Sequence, residues 1–262
     1  LFDFVNFGAE KLQLFLLIIL RISGLFFFAP VIGDKTLPMA LKVGLAILLS
    51  GILVSTMGGT ELPSVLSTVD LAALAFREIL VGALIGFFFM LLFLGVQAGG
   101  SIVGYQIGLS IANVIDPSTE SEQSIIGQFW FILAVLIFLC INGHHLIIQA
   151  FVDSYQVMPA GQASMGSGAG ELMISYTAYV FVIALKLASP ALVTLFLTDI
   201  ALATVSKMMP TMNVFIVGFA VKIGAGIAVL GLSLPVFSYV LEKTSLYLNS
   251  ELAVLLSALG KA

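Results

Sequence analysis

Between Glu78 and Asp116 the chain runs for 37 consecutive positions, residues 79–115, without one formally charged side chain. As a single helix this stretch would reach about 55 Å, against a bilayer hydrocarbon core of about 30 Å. It is therefore expected to break, to re-enter, or to continue outside lipid. Bulky residues fill its first half, with Phe87, Phe88, Phe89 and Phe93, whereas Gly95, Gly99, Gly100, Gly104 and Gly108 collect in its second. The first half reads as a membrane or core helix and the second as a thinner, more pliable segment. The rest of the chain has the same bias: 60% of its residues are hydrophobic and 9% charged, with a mean hydropathy of +1.18. A soluble domain carries roughly 25% charged residues to cover its surface. The chain is an all-α membrane protein on these grounds. Ten basic residues and a net charge of −4 exclude a nucleic-acid binder.

Further apolar segments lie at residues 12–29, interrupted by Arg21 and ended by Pro30, and at 43–57, closed by Gly58 and Gly59. Asp3 and Glu10 precede the first of them, where a cleavable leader would carry positive charge, so the segment is expected to stay. Ser67 with Asp70 fits a helix start, and Thr119 with Glu122 fits a capping box for a helix over 125–141. Asn142, Gly143, His144 and His145 interrupt that helix, which resumes over 146–152. Residues 161–170, glycine- and serine-rich, form a flexible linker by composition, and the subdomain boundary is expected there. Beyond it, 172–205 (with Lys186, Pro190 and Asp199) and 214–241 (with Lys222 and Pro235) make a helical hairpin turning at 207–213. Residues 243–262 read as an amphipathic tail. The basic residues are few, and several lie inside the apolar runs rather than beside them, so the positive-inside rule gives no topology.

No catalytic constellation is expected. Ser110 lacks the second glycine of a nucleophile elbow, there is no His-Glu-x-x-His motif, and His144 and His145, adjacent on a helix, should point in different directions. Cys140 is the only cysteine and reads as a small buried hydrophobe. No metal or cofactor is implied. Arg21, Lys186, Asp199 and Lys222 are charges within apolar helices. Because lipid exposure of such groups costs about 2.5–3.5 kcal/mol each, they are expected at subunit contacts or a polar lumen. Gly100, Gly104 and Gly108 share one helix face, either for close helix packing or as a flexible segment. Leu109, Ile111, Val114 and Ile115 then supply apolar bulk, and Asp116-Pro117 ends the stretch in a turn. Such a loop, hinged at Gly104 and Gly108, suits a dewetted constriction in a pore.

The run Gly104-Tyr105-Gln106-Ile107-Gly108-Leu109-Ser110, followed by Ile115-Asp116-Pro117, resembles the central motif of the FliR family of flagellar type III export-gate proteins. Matches in the family's order continue with Phe138 to His144, Met158-Pro159-Ala160-Gly161, and Met212 to Phe219; Arg21, Ala29-Pro30 and Lys42 fit near the start. The resemblance covers nearly the whole chain. One departure is Ala220, where the family commonly has proline; virulence-type injectisome equivalents are also similar. The resemblance implies long broken helices packed in a hetero-oligomeric export gate of the bacterial inner membrane, at the flagellar basal body. It implies a FliP-like part over 1–160 containing a plug at Gly104, Gly108, Leu109, Ile111, Val114, Ile115, Asp116 and Pro117, then the 161–170 linker, then a FliQ-like hairpin and tail over 171–262. The implied partners are FliP-like, FliQ-like, FlhB-like and FlhA-like export proteins, membrane lipid and unfolded secreted substrates. Helices packed out of the bilayer plane against neighbouring subunits would account for the overlong run, the charges in apolar helices and the silent charge rule. A small-molecule or ion permease acting alone is the rival, since broken helices and midplane charges suit it too.

Overall fold

The computed structural model describes residues 2–34, 36–56, 68–109, 124–162, 169–209 and 213–260. Among these there are helices, turns and short extended connections, with no strand. The helices are α1 (Phe2–Phe28), α2 (Met39–Thr56), α3 (Thr68–Ile107), α4 (Ile125–Cys140), α5 (Gly143–Val157), α6 (Ala169–Met208), α7 (Val214–Leu232) and α8 (Leu234–Gly260). Four are long and apolar enough to cross a membrane, or up to six spans if α4 with α5 and α7 with α8 each make one. The chain is an all-α membrane protein.

The overlong uncharged run passes Gly95, Gly99, Gly100 and Gly104 as helix and breaks at the last of its glycines, Gly108. α3 continues for 40 residues, about 60 Å, and stops at Ile107. Its end is a Schellman motif, in which the Gly108 amide donates to the Tyr105 carbonyl (3.0 Å) and the Leu109 amide to the Gly104 carbonyl (3.1 Å). Gly108 takes φ 93°, a conformation open to glycine and costly to a side chain. The cap foreseen at Thr119 lies outside the described residues, as does the start foreseen at Ser67; α4 is capped by Ser124, whose hydroxyl accepts from the Gly127 amide at 3.3 Å. Asn142, in the left-handed region at φ 58°, separates α4 from α5. α7 and α8 meet at Ser233 with a 55° bend. Pro190, within α6, cannot donate to the Lys186 carbonyl, and the Ser189 hydroxyl donates to it instead at 3.0 Å.

The chain divides into two compact units. The first comprises Leu1–Leu91, Asn142–Thr177 and Ser245–Ala262. Its core includes Ile18 and Ile22 of α1, Ile85, Phe88 and Phe89 of α3, Phe151 of α5 and Leu255 of α8, all nearly or fully inaccessible. α1 and the first part of α3 approach backbone to backbone. A Cβ on Gly24 would strike the Ile79 carbonyl, one on Gly82 the Arg21 carbonyl, and one on Gly86 the Leu25 carbonyl. Small residues at such positions are what lets apolar helices gain dispersion contacts where lipid offers no hydrophobic drive.

The second unit comprises Leu92–Ile141 and Ala178–Thr244. Phe93 meets Phe138 edge-on at 5.3 Å, and Trp130 meets Phe237 at the same separation. Here too the glycines are seats for neighbours. Gly95 faces Ile183, Gly99 the Ala184 carbonyl, and Gly100 the backbone of Gly127, while Gly104 faces the Ser124 hydroxyl. Within α3, close packing replaces the pliability expected of residues 95–104. Cys140 corrects another expectation. It is exposed at the end of α4, the face that α4 buries running instead through Ile126, Trp130, Ala134 and Phe138.

Candidate functional site

In the first unit, one charge cluster is sealed from solvent. Arg21 on α1 and Glu78 on α3 are 0% exposed, with the guanidinium Nε donating to the Glu78 carboxylate at 2.5 Å. Nη1 donates to the Ser154 hydroxyl (3.0 Å), and both terminal nitrogens donate to the Met158 carbonyl (3.1 Å each). The Tyr155 ring lies 3.9 Å from the guanidinium carbon. The second Glu78 oxygen accepts from the Gly161 amide at 2.8 Å. Arg21 was expected at a subunit contact or lumen; its partners are internal, and their number is what makes burying the charge tolerable. The Met158 to Gly161 stretch thus contributes backbone groups to both members of the pair. Glu78 was missed from sequence, although it is the carboxylate that opens the uncharged run.

In the second unit, the end of α3 lines a cavity of about 570 Å³ together with α6 and α7. Lys222 and Asp199 pair there at 2.5 Å, and the Gln106 amide donates to the other Asp199 oxygen at 3.1 Å. Asp199 lies nine residues before the end of α6 and Lys222 eight after the start of α7, both about 12–14 Å from the intervening turn. The antiparallel arms therefore bring the two charges level. Tyr105, Gly108 and Phe219 complete the wall beside them. Lys222 and Asp199, both singled out from sequence, are brought together; Gln106 was present in the quoted motif without a role.

Lys186 stands apart from both clusters. It is exposed on α6, with its ammonium 3.4 Å from the Tyr179 hydroxyl and 5.6 Å from that ring's centre. Of the expected plug, Gly104, Gly108 and Leu109 are described, and Ile111, Val114, Ile115, Asp116 and Pro117 lie outside the described residues. The rings of His144 and His145 approach to 4.3 Å between centres, closer than their adjacent positions suggested. No group of three metal-ligating side chains occurs among the described residues.

Residues 12–246 match the model of a family described as bacterial export proteins, family 1. The chain is 36% identical over 220 residues to the flagellar biosynthetic protein FliR of Bacillus subtilis (strain 168), covering 82% of this chain and 84% of that one. It is 29% identical over 227 residues to the FliR of Escherichia coli (strain K12), covering 87% and 86% respectively. Against the FliR of Aquifex aeolicus (strain VF5) the identity is 28% over 229 residues, 87% of this chain and 88% of the relative.

Proposed function

The chain belongs to the bacterial export proteins, family 1, as a membrane-embedded relative of the flagellar biosynthetic protein FliR, and from that premise we propose that it is a channel subunit of a type III protein export gate. In this role it passes unfolded flagellar proteins across the bacterial inner membrane and catalyses no reaction. The observation that carries the proposal is the extent of the family match, residues 12–246, which takes in most of both compact units. FliP-like and FliQ-like subunits are its immediate partners, with FlhB-like and FlhA-like proteins at the same gate. The same reading divides the chain into a FliP-like part, 1–160, and a FliQ-like part, 171–262, joined by 161–170.

Closure at rest is assigned to the stretch that leaves α3 at Gly108 and ends at Pro117. Two features support an anchored root for it. The Schellman motif fixes the chain direction at Gly108 and Leu109, and Gln106, two residues before Gly108, is tied to the Asp199–Lys222 pair. Its apolar part, residues 109–115, held at its root, can exclude water without contributing charge to the pore, Asp116 coming only at the far end.

Affinity capture of the full chain from native membranes, with identification of everything retained, tests the proposal. Two small apolar membrane proteins of the FliP-like and FliQ-like kinds should be recovered in fixed proportion. A well-behaved homo-oligomer that takes up a solute saturably would overturn it in favour of a permease.

A further inference from the structure

Three basic residues were singled out within the apolar helices, and the structure balances only two of them inside the chain. Arg21 has Glu78, and Lys222 has Asp199. Lys186 has no carboxylate partner among the described residues; one hydroxyl and one ring face are all it meets. An ammonium carries three donors, and the Tyr179 hydroxyl takes one of them at a long 3.4 Å.

Its surroundings narrow what completes it. On α6, Val182, Lys186, Ser189, Val193 and Leu197 follow at intervals of four, three, four and four residues and form one stripe. All five are exposed, Val193 and Leu197 at about 60%, and the lysine is the only charge in the stripe. If α6 spans a bilayer, it cannot place both of its central charges outside it. Any window of about 20 residues within 169–208 contains Lys186 or Asp199. Asp199 is neutralised in place, so the unmatched cation is what an apolar environment would oppose.

We propose that the α6 face centred on Lys186 receives an apolar helix of a different membrane subunit, whose aspartate or glutamate supplies the missing counter-charge. The contact rests on the export-subunit role above and specifies the chemistry of one of its interfaces. Charge complementarity selects this occupant over lipid acyl chains, which leave the ammonium unpaired. A second copy of this chain is an outcome the test separates: Glu78, Asp199 and Glu251 are engaged by Arg21, Lys222 and Tyr176, whereas Asp153 on α5 and Glu242 on α8 are exposed.

Photoreactive amino acids at Val182 and at Val193, in the full chain in its native membranes, test the contact with the lysine left in place. Both should crosslink to another polypeptide, within about two helical turns of an acidic residue in an apolar segment. Lys186→Glu should lower recovery of that polypeptide by about tenfold or more, Lys186→Arg should retain it, and reversing the partner's acid to lysine should restore the Lys186→Glu variant. Crosslinks to lipid alone, to a second copy, or to a segment without an acid would overturn the proposal, as would undiminished recovery with Lys186→Glu. Labelling of Lys186→Cys by a membrane-impermeant thiol reagent, in a Cys140→Ser background, would overturn it in favour of an aqueous lumen. The two proposals fail separately. Export subunits captured with lipid-only crosslinks would remove this contact alone, whereas an acidic helix from outside the export apparatus would remove the export role alone.

Discussion

Removing both members of the Arg21–Glu78 pair should cost no more than removing the worse one alone, and the geometry sets the size of the coupling. Both side chains are 0% exposed. In Arg21→Met the Glu78 carboxylate keeps only the Gly161 amide, and the Met158 carbonyl loses both of its donors. In Glu78→Gln the guanidinium keeps Ser154, Met158 and the Tyr155 ring but loses its counter-charge, and arginine cannot shed its proton. Leaving one buried charge unmatched costs about 3–5 kcal/mol in either case. The double variant Arg21→Met/Glu78→Gln has no charge left to strand. It loses hydrogen bonds to Ser154 and Met158, and since Ser154 still donates to the Phe151 carbonyl at 2.6 Å, that residue stays satisfied. Its cost should not exceed that of the worse single variant, which makes the coupling energy about 3 kcal/mol.

Heat unfolding of the purified full chain in mild detergent, followed by helical circular dichroism, reads this as a cycle. For a chain of this size 1 kcal/mol moves the midpoint by about 2–4 °C, so each single variant should fall by roughly 10 °C. The double variant should fall by no more than the larger of them. A double variant that falls by the sum of the two would refute the reasoning, because the side chains would then act independently.

Gly82→Ala should destabilise by about 3 kcal/mol or more, as its Cβ meets the Arg21 carbonyl, whereas Gly44→Ala, in open space on α2, should be neutral or stabilising by up to about 1 kcal/mol; thermal midpoints compare them directly. Gly108→Ala should cost about 1–2 kcal/mol through its φ of 93°, with amide exchange quickening at Gly108 and Leu109; unchanged exchange there would remove the Schellman motif. Asp199→Ala should lower the yield of assembled complex more than Asp199→Ala/Lys222→Met does, because only the single variant strands Lys222 in an apolar setting; equal yields would argue against the pair. Deleting residues 109–115 should raise passive leakage of ions through membranes that contain a verified intact complex, and an intact complex with no added leak would remove the resting plug.

Helix content and membrane character were legible because they depend on local composition, as the apolar bodies of α1, α2, α3 and α6 illustrate. What stayed hidden depended on the far side of a contact. Arg21 stood out as a charge in an apolar run, but its partners are 57 and 133 to 137 positions away, beyond the reach of any periodicity. Lys222 and Asp199 could be paired in principle, since a hairpin turning at 207–213 makes them level; that step needed the register of both arms.

The glycines separate the two kinds of information most clearly. Spacing alone placed Gly100, Gly104 and Gly108 on one face, and two roles remained compatible with it. The distinction lies in the backbone: at Gly104 the helix continues and a Cβ would meet the Ser124 hydroxyl, whereas at Gly108 φ turns positive and the helix stops. Gly24, Gly82 and Gly86, by contrast, were not singled out, because Gly24 has no glycine within a few turns of it on α1 and its meaning resides on α3. A glycine chosen for packing and one chosen for conformation are the same letter. They differ in what substitution does: alanine at Gly104 crowds a hydroxyl that can rotate, while alanine at Gly108 strains the one bond geometry from which the following stretch departs.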